Sequence, residues 1–257
     1  MLANYHTHTY RCHHASGEDR AYVEAAIRNG MQVLGFSDHC PWVYENGYVS
    51  GTRMSPAEVD GYFQSLTDLR EEYRRDITIY IGFESEYIPA QMAAQDRLLA
   101  DYPVDYMLLG EHFCDPEPSP YLGQVFWDPD LLERYVDMVI EGMETGRYVY
   151  AAHPDLMGFG GAQGFYDQQY GRLCDYLKAH DIPVEINLLG VVEKRHYTDP
   201  HFLRLAAKRG CKAIIGVDAH TPDRLDHRAG QAECETMAAM AGLPLVDFLP
   251  GLGPKHL

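Results

Sequence analysis

Seven short apolar runs alternate strictly with longer amphipathic segments, and this alternation limits the folds open to the chain more than any other feature. The apolar runs, predicted as strands, cover residues 1–5, 32–37, 77–83, 106–110, 148–152, 182–187 and 213–217. The amphipathic segments, predicted as helices, cover residues 20–29, 55–75, 89–100, 128–146, 166–179, 199–208 and 224–241. Because parallel strands need a helix-length connection, seven β/α units in succession predict a parallel sheet with right-handed crossovers.

Polar residues follow six of the seven predicted strands at or just beyond the point where each strand ends. These residues are His6, His8, His14, Asp38, His39, Glu84, His112, His153, Asp218 and His220. In a β/α barrel the carboxyl ends of the strands converge on one mouth, whereas an open sheet would spread the same residues along a line. We therefore expect a closed or nearly closed barrel. The composition is even along the chain, so we expect a single domain over residues 1–257.

His6 and His8 are the first of these strand-end residues and lie two positions apart. Residues at positions i and i+2 of a strand point to the same face, so both imidazoles can be directed at one ion. Imidazole is the commonest protein ligand for zinc and iron. Two histidines near a terminus could also be surface residues, and the downstream residues favour the metal site.

Composition and charge exclude several classes of protein. The formal net charge of −17 argues against a nucleic-acid partner, because phosphate backbones bind basic surfaces. No apolar run reaches the length of a membrane span, and the first three residues lack the pattern of a signal peptide. Six scattered cysteines without a CxxC pair are typical of reduced thiols, so we expect a cytoplasmic protein without a membrane partner.

Short motifs around the strand-end residues occur in a fixed order. They are His6-Thr7-His8, His14-Ala15-Ser16, Ser37-Asp38-His39, Gly82-Phe83-Glu84, Gly110-Glu111-His112-Phe113, Ala152-His153-Pro154 and Val217-Asp218-Ala219-His220. In this order the chain resembles the PHP (polymerase and histidinol phosphatase) superfamily over residues 4–220, and most of all its histidinol-phosphatase branch. The resemblance implies an α/β fold, a distorted (β/α)7 TIM-like barrel in a single domain.

The resemblance also implies a site for three divalent metal ions with nine protein ligands. The implied ligands are His6, His8, Glu84 and Asp218 for the first ion; the bridging Glu84 with His112 and His153 for the second; and His14, His39 and His220 for the third. Histidine and carboxylate ligands without cysteine suit Zn, Mn or Fe.

Two of these assignments have a competitor in the neighbouring sequence. His13 competes with His14, and Glu86 would face the same way as Glu84 on a strand. The resemblance favours His14, whose offset from His8 and following Ala-Ser match the family, and Glu84, whose Gly-Phe-Glu motif is the better match. Asp38 is interpreted as a partner that orients a histidine ligand, with an ordinary loop cap as the alternative.

The loop after the sixth strand is where the resemblance implies a basic residue for the substrate phosphate. Arg195 is the first candidate, Lys194 the second, and Arg11 lies in another loop at the expected mouth; the alternative is a solvated charge cluster. Two long loops, residues 41–54 and 115–127, could contact an imidazole-bearing amine. The candidates in these loops are Tyr44, Glu45, Tyr48 and Trp127.

The predicted function is a metal-dependent phosphomonoesterase acting on a small phosphorylated substrate, most specifically a histidinol-phosphate phosphatase of histidine biosynthesis. A metal-bridging hydroxide would attack phosphorus in line with the leaving alkoxide. Catalytic roles fall to Glu84, Asp218 and His220, and Asp218, His220 or a metal-bound water would protonate the leaving group.

Three alternatives remain open on the sequence. The substrate could be another phosphate ester, such as a nucleotide, a phosphosugar or a phosphotyrosyl peptide, which a substrate screen would separate. An amidohydrolase-like enzyme is less favoured, because that superfamily usually places a carboxylated lysine at a strand end and none is found here. A non-catalytic metal-binding domain is also less favoured, because the ligand set is intact.

Overall fold

The computed structural model describes residues 1–44 and 46–255, and Glu45, one of the predicted substrate contacts, lies outside the described residues. The strands are β1 (Ala3–Asn4), β2 (Val33–His39), β3 (Thr78–Ser85), β4 (Tyr106–Leu109), β5 (Val125–Phe126), β6 (Tyr150–Ala151), β7 (Gly158–Phe159), β8 (Val184–Asn187) and β9 (Ala213–Gly216). The helices are α1 (Asp19–Arg28), α2 (Val59–Glu72), α3 (Pro89–Leu99), α4 (Pro129–Glu144), α5 (Gln163–Ala179), α6 (Leu188–Val192), α7 (Pro200–Lys208) and α8 (Arg228–Ala241). Short 3-10 turns cover Tyr10–Cys12, Pro56–Glu58 and Pro222–Asp226.

Each of the seven predicted strands and seven predicted helices overlaps an observed one, so the α/β class is confirmed. The structure adds two strands of two residues each, β5 and β7, and the short helix α6. The closed (β/α)7 barrel and the single domain over residues 1–257 stay predictions.

Aspartate–proline pairs begin two of the helices as the sequence predicts. The Asp128 carboxylate accepts hydrogen bonds from the backbone N–H groups of Asp130 and Leu131, and Pro129 takes the first helical position of α4. Asp199 accepts from the backbone N–H of His201 in the same way at the start of α7. These caps satisfy N–H groups that have no partner within the helix.

The described chain falls into two compact units, and each is built from separated stretches of sequence. Unit 1 contains residues 1–44, 46–108, 217–227 and 247–255. Unit 2 contains residues 109–216 and 228–246.

In unit 1, strands β1, β2 and β3 pair in parallel, and β4 follows them in the sheet order. The register places His39 opposite Glu84 at the carboxyl ends of β2 and β3. The Tyr106 hydroxyl donates to the backbone oxygen of Tyr5 at 2.6 Å, and a Cβ at Gly35 would collide with that hydroxyl. The interior of the sheet is therefore closely packed directly below the strand ends.

In unit 2, β5 pairs in parallel with β7, and β8 pairs in parallel with β9. The register of the second pair places Val184 opposite Ala213 and Asn187 opposite Gly216. Helices α5 and α7 pack through the rings of Tyr170 and Phe202, whose centroids lie 5.5 Å apart. A separate apolar core thus supports the strand ends of this unit.

Within the two described stretches, none of the helices combines the length and apolarity that a membrane crossing requires.

Candidate metal centre

The segment 217–220 is hydrogen-bonded to the end of β1. The His8 backbone N–H donates to the Ala219 oxygen at 2.9 Å, and Thr7 forms a parallel bridge with Ala219. The Asn4 side chain accepts from the backbone N–H of Val217 at 2.9 Å. These bonds place the last predicted ligands of the chain beside the first ones, although more than 200 positions separate them in the sequence.

His6, His8, Glu84 and Asp218 form a buried cluster, which we call the four-donor group. His6 Nε2 lies 3.4 Å from Glu84 Oε2 and 3.5 Å from Asp218 Oδ1. His8 Nε2 lies 3.4 Å and 3.0 Å from the same two oxygens. All four side chains are at most 7% exposed. The four residues predicted to hold the first ion are therefore brought together.

The separations within the four-donor group fit a bound metal ion. Tetrahedral ligands about 2.1 Å from a zinc ion are about 3.4 Å apart from one another. Four of the six separations within the group are 3.0–3.5 Å, close to that value. The donor atoms are two imidazole nitrogens and two carboxylate oxygens, which suits zinc, manganese or iron.

His14, His39 and His220 form a second cluster beside the first, which we call the imidazole group. His14 Nε2 and His220 Nε2 are 3.0 Å apart, and the His14 and His39 ring centroids are 5.3 Å apart. His39 Nδ1 lies 3.2 Å from Glu84 Oε2. The three residues predicted for the third ion thus lie together in unit 1, next to the four-donor group.

The tautomers of His14 and His220 favour a cation between them. His14 Nδ1 lies 2.8 Å from the Cys12 carbonyl oxygen, and His220 Nδ1 lies 3.1 Å from the Asp218 carbonyl oxygen. A carbonyl only accepts, so each Nδ1 carries the proton and each Nε2 has a lone pair. Two lone pairs 3.0 Å apart repel each other unless a cation lies between them. The geometry therefore suits a metal ion here too.

The two pairs of competing residues, His13 with His14 and Glu84 with Glu86, differ in their contacts. Of the two histidines, which are both exposed, His14 contacts His220, whereas His13 has a φ of 68° at the end of the Tyr10–Cys12 turn. Of the two glutamates, Glu84 contacts the histidines, whereas Glu86 accepts hydrogen bonds from an arginine and a tryptophan. His14 and Glu84 therefore lie within the clusters, and their assignment as ligands stays a prediction.

Burial and neighbouring charges shift the pKa values of Asp218, His8 and His220. Burial raises the pKa of Asp218, but the neighbouring His6 and His8 outweigh it and hold that pKa well below its usual range. Burial lowers the pKa of His8, but hydrogen bonds with Asp218 and Asp38 outweigh it and raise the pKa to about 9. Burial and the nearby His8 lower the pKa of His220 to about 3. A cation entering the site would replace the His8 proton, so metal binding should release protons.

Asp38 lies on the far side of the His8 ring from the four-donor group. Its Oδ1 is 3.4 Å from His8 Nδ1 and accepts from the backbone N–H of His39 at 2.8 Å. Its Oδ2 accepts from the Thr9 hydroxyl. A carboxylate behind a ligand imidazole fixes the orientation of the ring and raises its basicity. These contacts suit the orienting role that the sequence predicts, and the role stays a prediction.

His112 and His153, the two remaining predicted ligands, lie together in unit 2. Their ring centroids are 5.0 Å apart, and both side chains are largely buried. His153 has a φ of 31°, and Asp218 in unit 1 has a φ of 53°. Such left-handed conformations are uncommon outside glycine and concentrate at functional sites. The prediction that His112 and His153 share an ion with Glu84 joins the two units and stays a prediction.

Glu185 is a buried residue near this pair that the sequence interpretation missed. Its Oε2 accepts from the His153 backbone N–H at 2.7 Å and from the Asn187 side chain at 3.1 Å. Its Oε1 accepts from the Tyr150 hydroxyl at 3.1 Å. A Cβ at Gly216 would collide with the Glu185 carboxylate, so glycine is required there. Glu185 therefore supports the backbone of His153. The available signal was a carboxylate inside the otherwise apolar stretch Val184–Ile186.

The three basic residues predicted to bind phosphate have different surroundings. Arg195 is partly exposed and donates to Glu193 Oε2 at 2.8 Å and to the Tyr197 hydroxyl at 2.6 Å. The Tyr197 ring lies 5.7 Å from the His153 ring, which brings Arg195 near a predicted ligand of unit 2. Lys194 is exposed, with a φ of 55°. Arg11 is buried, and its Nη1 lies 3.0–3.1 Å from both carboxylate oxygens of Asp19.

The aromatic candidates for substrate contact occupy both units. Tyr44 and Tyr48 pack edge to face in unit 1, with centroids 5.0 Å apart. Trp127 in unit 2 is 74% exposed. Their contact with substrate stays a prediction.

Comparison with known proteins identifies the family of the chain. The PHP domain family matches residues 4–188 of the chain. A protein named "Probable histidinol-phosphatase" from Deinococcus radiodurans is 25% identical over 248 residues, which cover 90% of this chain and 91% of the relative. A "Histidinol-phosphatase" from Bacillus subtilis is 28% identical over 121 residues, 44% of this chain and 45% of the relative.

A solved structure extends the likeness to the fold. Histidinol phosphate phosphatase from Lactococcus lactis subsp. lactis, complexed with zinc, L-histidinol and phosphate, matches with a TM-score of 0.72. The match covers 96% of each chain at 16% sequence identity. At that identity the likeness concerns the fold.

Proposed function

Because the chain belongs to the PHP domain family, we propose that it is a metal-dependent phosphomonoesterase that hydrolyses histidinol phosphate to histidinol and phosphate. The observation that carries the proposal is the four-donor group, in which each imidazole Nε2 lies 3.0–3.5 Å from an oxygen of both carboxylates. The names of the relatives from Deinococcus radiodurans and Bacillus subtilis support the substrate.

The proposal includes the full ligand set. Three divalent ions, Zn, Mn or Fe, would be held by nine residues in a single-domain (β/α)7 barrel. These residues are His6, His8, His14, His39, Glu84, His112, His153, Asp218 and His220. When bound, the ions supply positive charge that stabilises the phosphoryl group in the transition state and lowers the pKa of water.

The side chains of the four-donor group and the imidazole group set the charge and the protonation state of the proposed metal site. Glu84 and Asp218 supply the negative charge that retains divalent cations in a buried site. His220 is neutral near pH 7, because its pKa is lowered to about 3, so its Nε2 is free of a proton. The lowered pKa values leave both Asp218 and His220 without an acidic proton near pH 7, so either would have to take one up from solvent before it could protonate the leaving alkoxide. Water is therefore the simpler proton donor.

Arg195 is the proposed phosphate-binding residue. It is partly exposed, it lies near His153 through Tyr197, and its guanidinium can bind two phosphate oxygens at once. When substrate binds, Arg195 would exchange its contact with Glu193 for a contact with the phosphate. Lys194 is the second candidate. Arg11 already has Asp19 as an anionic partner in the folded chain, which makes it the least favoured of the three.

The proposed location is the cytoplasm. All six cysteines are free and buried, as is typical of proteins from a reducing compartment.

Phosphate release from a panel of esters at equal concentration tests the proposal. The panel contains histidinol phosphate, a nucleotide, a phosphosugar and phosphotyrosine, and each is assayed with zinc, manganese or iron. We expect the highest kcat/KM for histidinol phosphate, loss of activity after chelation and recovery on adding metal back. Faster hydrolysis of another ester would change the substrate and keep the reaction class, whereas metal-loaded protein inactive on every ester would remove the function.

A further inference from the structure

A buried ion pair, Arg53 with Glu86, lies at the base of the loop that follows β2. Arg53 Nη2 is 2.8 Å from Glu86 Oε1, and Arg53 Nη1 is 3.0 Å from Glu86 Oε2. The side chains are 3% and 0% exposed. Burying two charges is unfavourable unless they are paired with good geometry, and a two-pronged contact of this kind provides that pairing.

The same pair ties both ends of the loop, residues 41–54, to one place. Trp42, near the beginning of the loop, donates from Nε1 to Glu86 Oε2 at 2.9 Å. Arg53, near its end, donates from Nη1 to the Cys40 carbonyl oxygen at 3.1 Å. Trp42 is itself buried at 2% exposure. The loop therefore has a closed base fixed by three hydrogen-bonded side chains.

The two residues that accept hydrogen bonds from Arg53, Cys40 and Glu86, are close in sequence to two predicted metal ligands. Cys40 follows His39 directly, and Glu86 lies two residues beyond Glu84. The Cys40 backbone N–H donates to the Glu84 carbonyl oxygen at 2.7 Å. His39 Nδ1 and Glu84 Oε2 are 3.2 Å apart, so a small shift between the ends of β2 and β3 would move two ligands predicted for adjacent ions relative to each other.

We propose that the Arg53–Glu86 ion pair is a positioning device for the metal centre, which fixes the ends of β2 and β3, and with them His39 and Glu84, relative to each other and closes the base of the loop. The inference rests on the proposed metal-dependent function, but it concerns metal binding and does not depend on the substrate. It assigns Glu86 a role other than that of a ligand. Arg53 is buried, and its terminal nitrogens donate to Glu86 and to the Cys40 carbonyl oxygen.

Zinc titration of the substrate-free protein against a chelating dye tests this proposal. The principal variant carries Arg53→Met and Glu86→Met together, because removing both charges leaves no uncompensated buried ion and preserves folding. We expect zinc affinity to fall about 10- to 100-fold, as is typical when residues that orient metal ligands are lost. Arg53→Lys retains the charge without the two-pronged contact and should give a smaller loss.

Two further measurements separate positioning from general destabilisation. The cobalt-loaded double variant should show a shifted visible absorption band, and the amides of residues 46–54 should exchange faster with deuterium. Leu66→Ala, in the buried face of α2, is the matched control: it should lower the thermal midpoint and leave zinc affinity unchanged.

Zinc affinity of the double variant within twofold of the parent, with an unshifted cobalt band, would overturn the proposal. So would an equal loss of zinc affinity in Leu66→Ala. A parent protein that binds zinc and does not hydrolyse histidinol phosphate would remove the proposed substrate only, so the two failures are distinguishable.

Discussion

The imidazole rings of His8 and His220 stack with their centroids 4.1 Å apart and their planes inclined by 21°. His8 belongs to the four-donor group, and His220 belongs to the imidazole group. The stacked contact joins the two clusters directly. A change at either ring should therefore affect metal binding in both.

His8→Ala should remove metal and activity together. The loss in metal affinity should exceed the about 10- to 100-fold that removal of an orienting partner costs, because a ligand itself is lost. Metal content and phosphate release are measured beside the parent. His180→Ala, in an exposed histidine at the end of α5, is the control and should match the parent. Equal activity of His8→Ala and parent would contradict the metal-dependent mechanism.

His14→Ala and His13→Ala should behave differently. His14 contacts His220 across 3.0 Å, so its loss should lower the number of bound metal ions and reduce phosphate release. His13 is exposed at the end of the turn, and His13→Ala should retain the parent metal content. Elemental analysis after gel filtration measures both variants. A reversed pattern would assign the ligand to His13.

Glu185→Ala should destabilise the protein through the backbone of His153. Hydrogen bonds to a charged group are each worth about 1.5–3 kcal/mol, and Glu185 accepts from three groups. We expect the free energy of unfolding to fall by about 3 kcal/mol or more. Glu185→Gln keeps an acceptor oxygen and should lose less. Urea denaturation measures both, and equal losses in the two variants would argue against the hydrogen-bonding role.

Asp155→Asn should change how stability depends on pH. Burial raises the pKa of Asp155 from 3.8 to about 7, so the folded protein keeps this proton over a range in which the unfolded chain has lost it. The contribution of the protonated Asp155 side chain to the free energy of unfolding is full below about pH 4 and is lost as pH rises through 7.

Between pH 5 and 8 the free energy of unfolding of the parent should therefore fall by about 2–3 kcal/mol relative to that of Asp155→Asn. Urea denaturation of chelator-treated protein at both pH values measures the difference, in which other titrating groups cancel. Parallel stability curves for the two proteins would show that Asp155 does not titrate in this window.

Arg195→Met should weaken substrate binding without releasing metal. Loss of a charge-assisted contact worth about 1.5–3 kcal/mol corresponds to a decrease of about 10- to 100-fold in kcat/KM for histidinol phosphate. The decrease should arise mainly from KM, and Lys194→Met should have a smaller effect. Unchanged kinetics in Arg195→Met would leave Lys194 as the phosphate-binding candidate.

The relative positions of the predicted ligands in unit 1 follow largely from the order and periodicity of the strands. Strands of a parallel sheet end at the same edge, so His39 and Glu84 could be placed side by side from the alternation of strands and helices alone. The pairing of His6 with His8 follows from the period of a strand. Detailed bounds were less predictable: β6 has two residues where five were expected, because few of them pair with a neighbouring strand.

Partner choice among charged residues was beyond the sequence. Arg11 and Arg53 both stand in loops beside the predicted ligands, and only the folded chain shows that they pair with Asp19 and Glu86. Helix α6 was missed because its five residues, four apolar ones and a glycine, show no amphipathic period, and its start depends on the Asn187 side chain accepting from the Gly190 backbone N–H. Such contacts depend on tertiary packing rather than on local pattern.

Unit 1 is assembled from stretches of chain on both sides of residues 109–216. Its first 108 residues carry His6, His8 and Glu84, whereas Asp218 follows more than a hundred positions later. A ribosome must therefore synthesise most of the chain before the four-donor group can close around an ion. Until then the nascent polypeptide presents a partial donor set, so the complete four-donor group can form only after Asp218 has been synthesised.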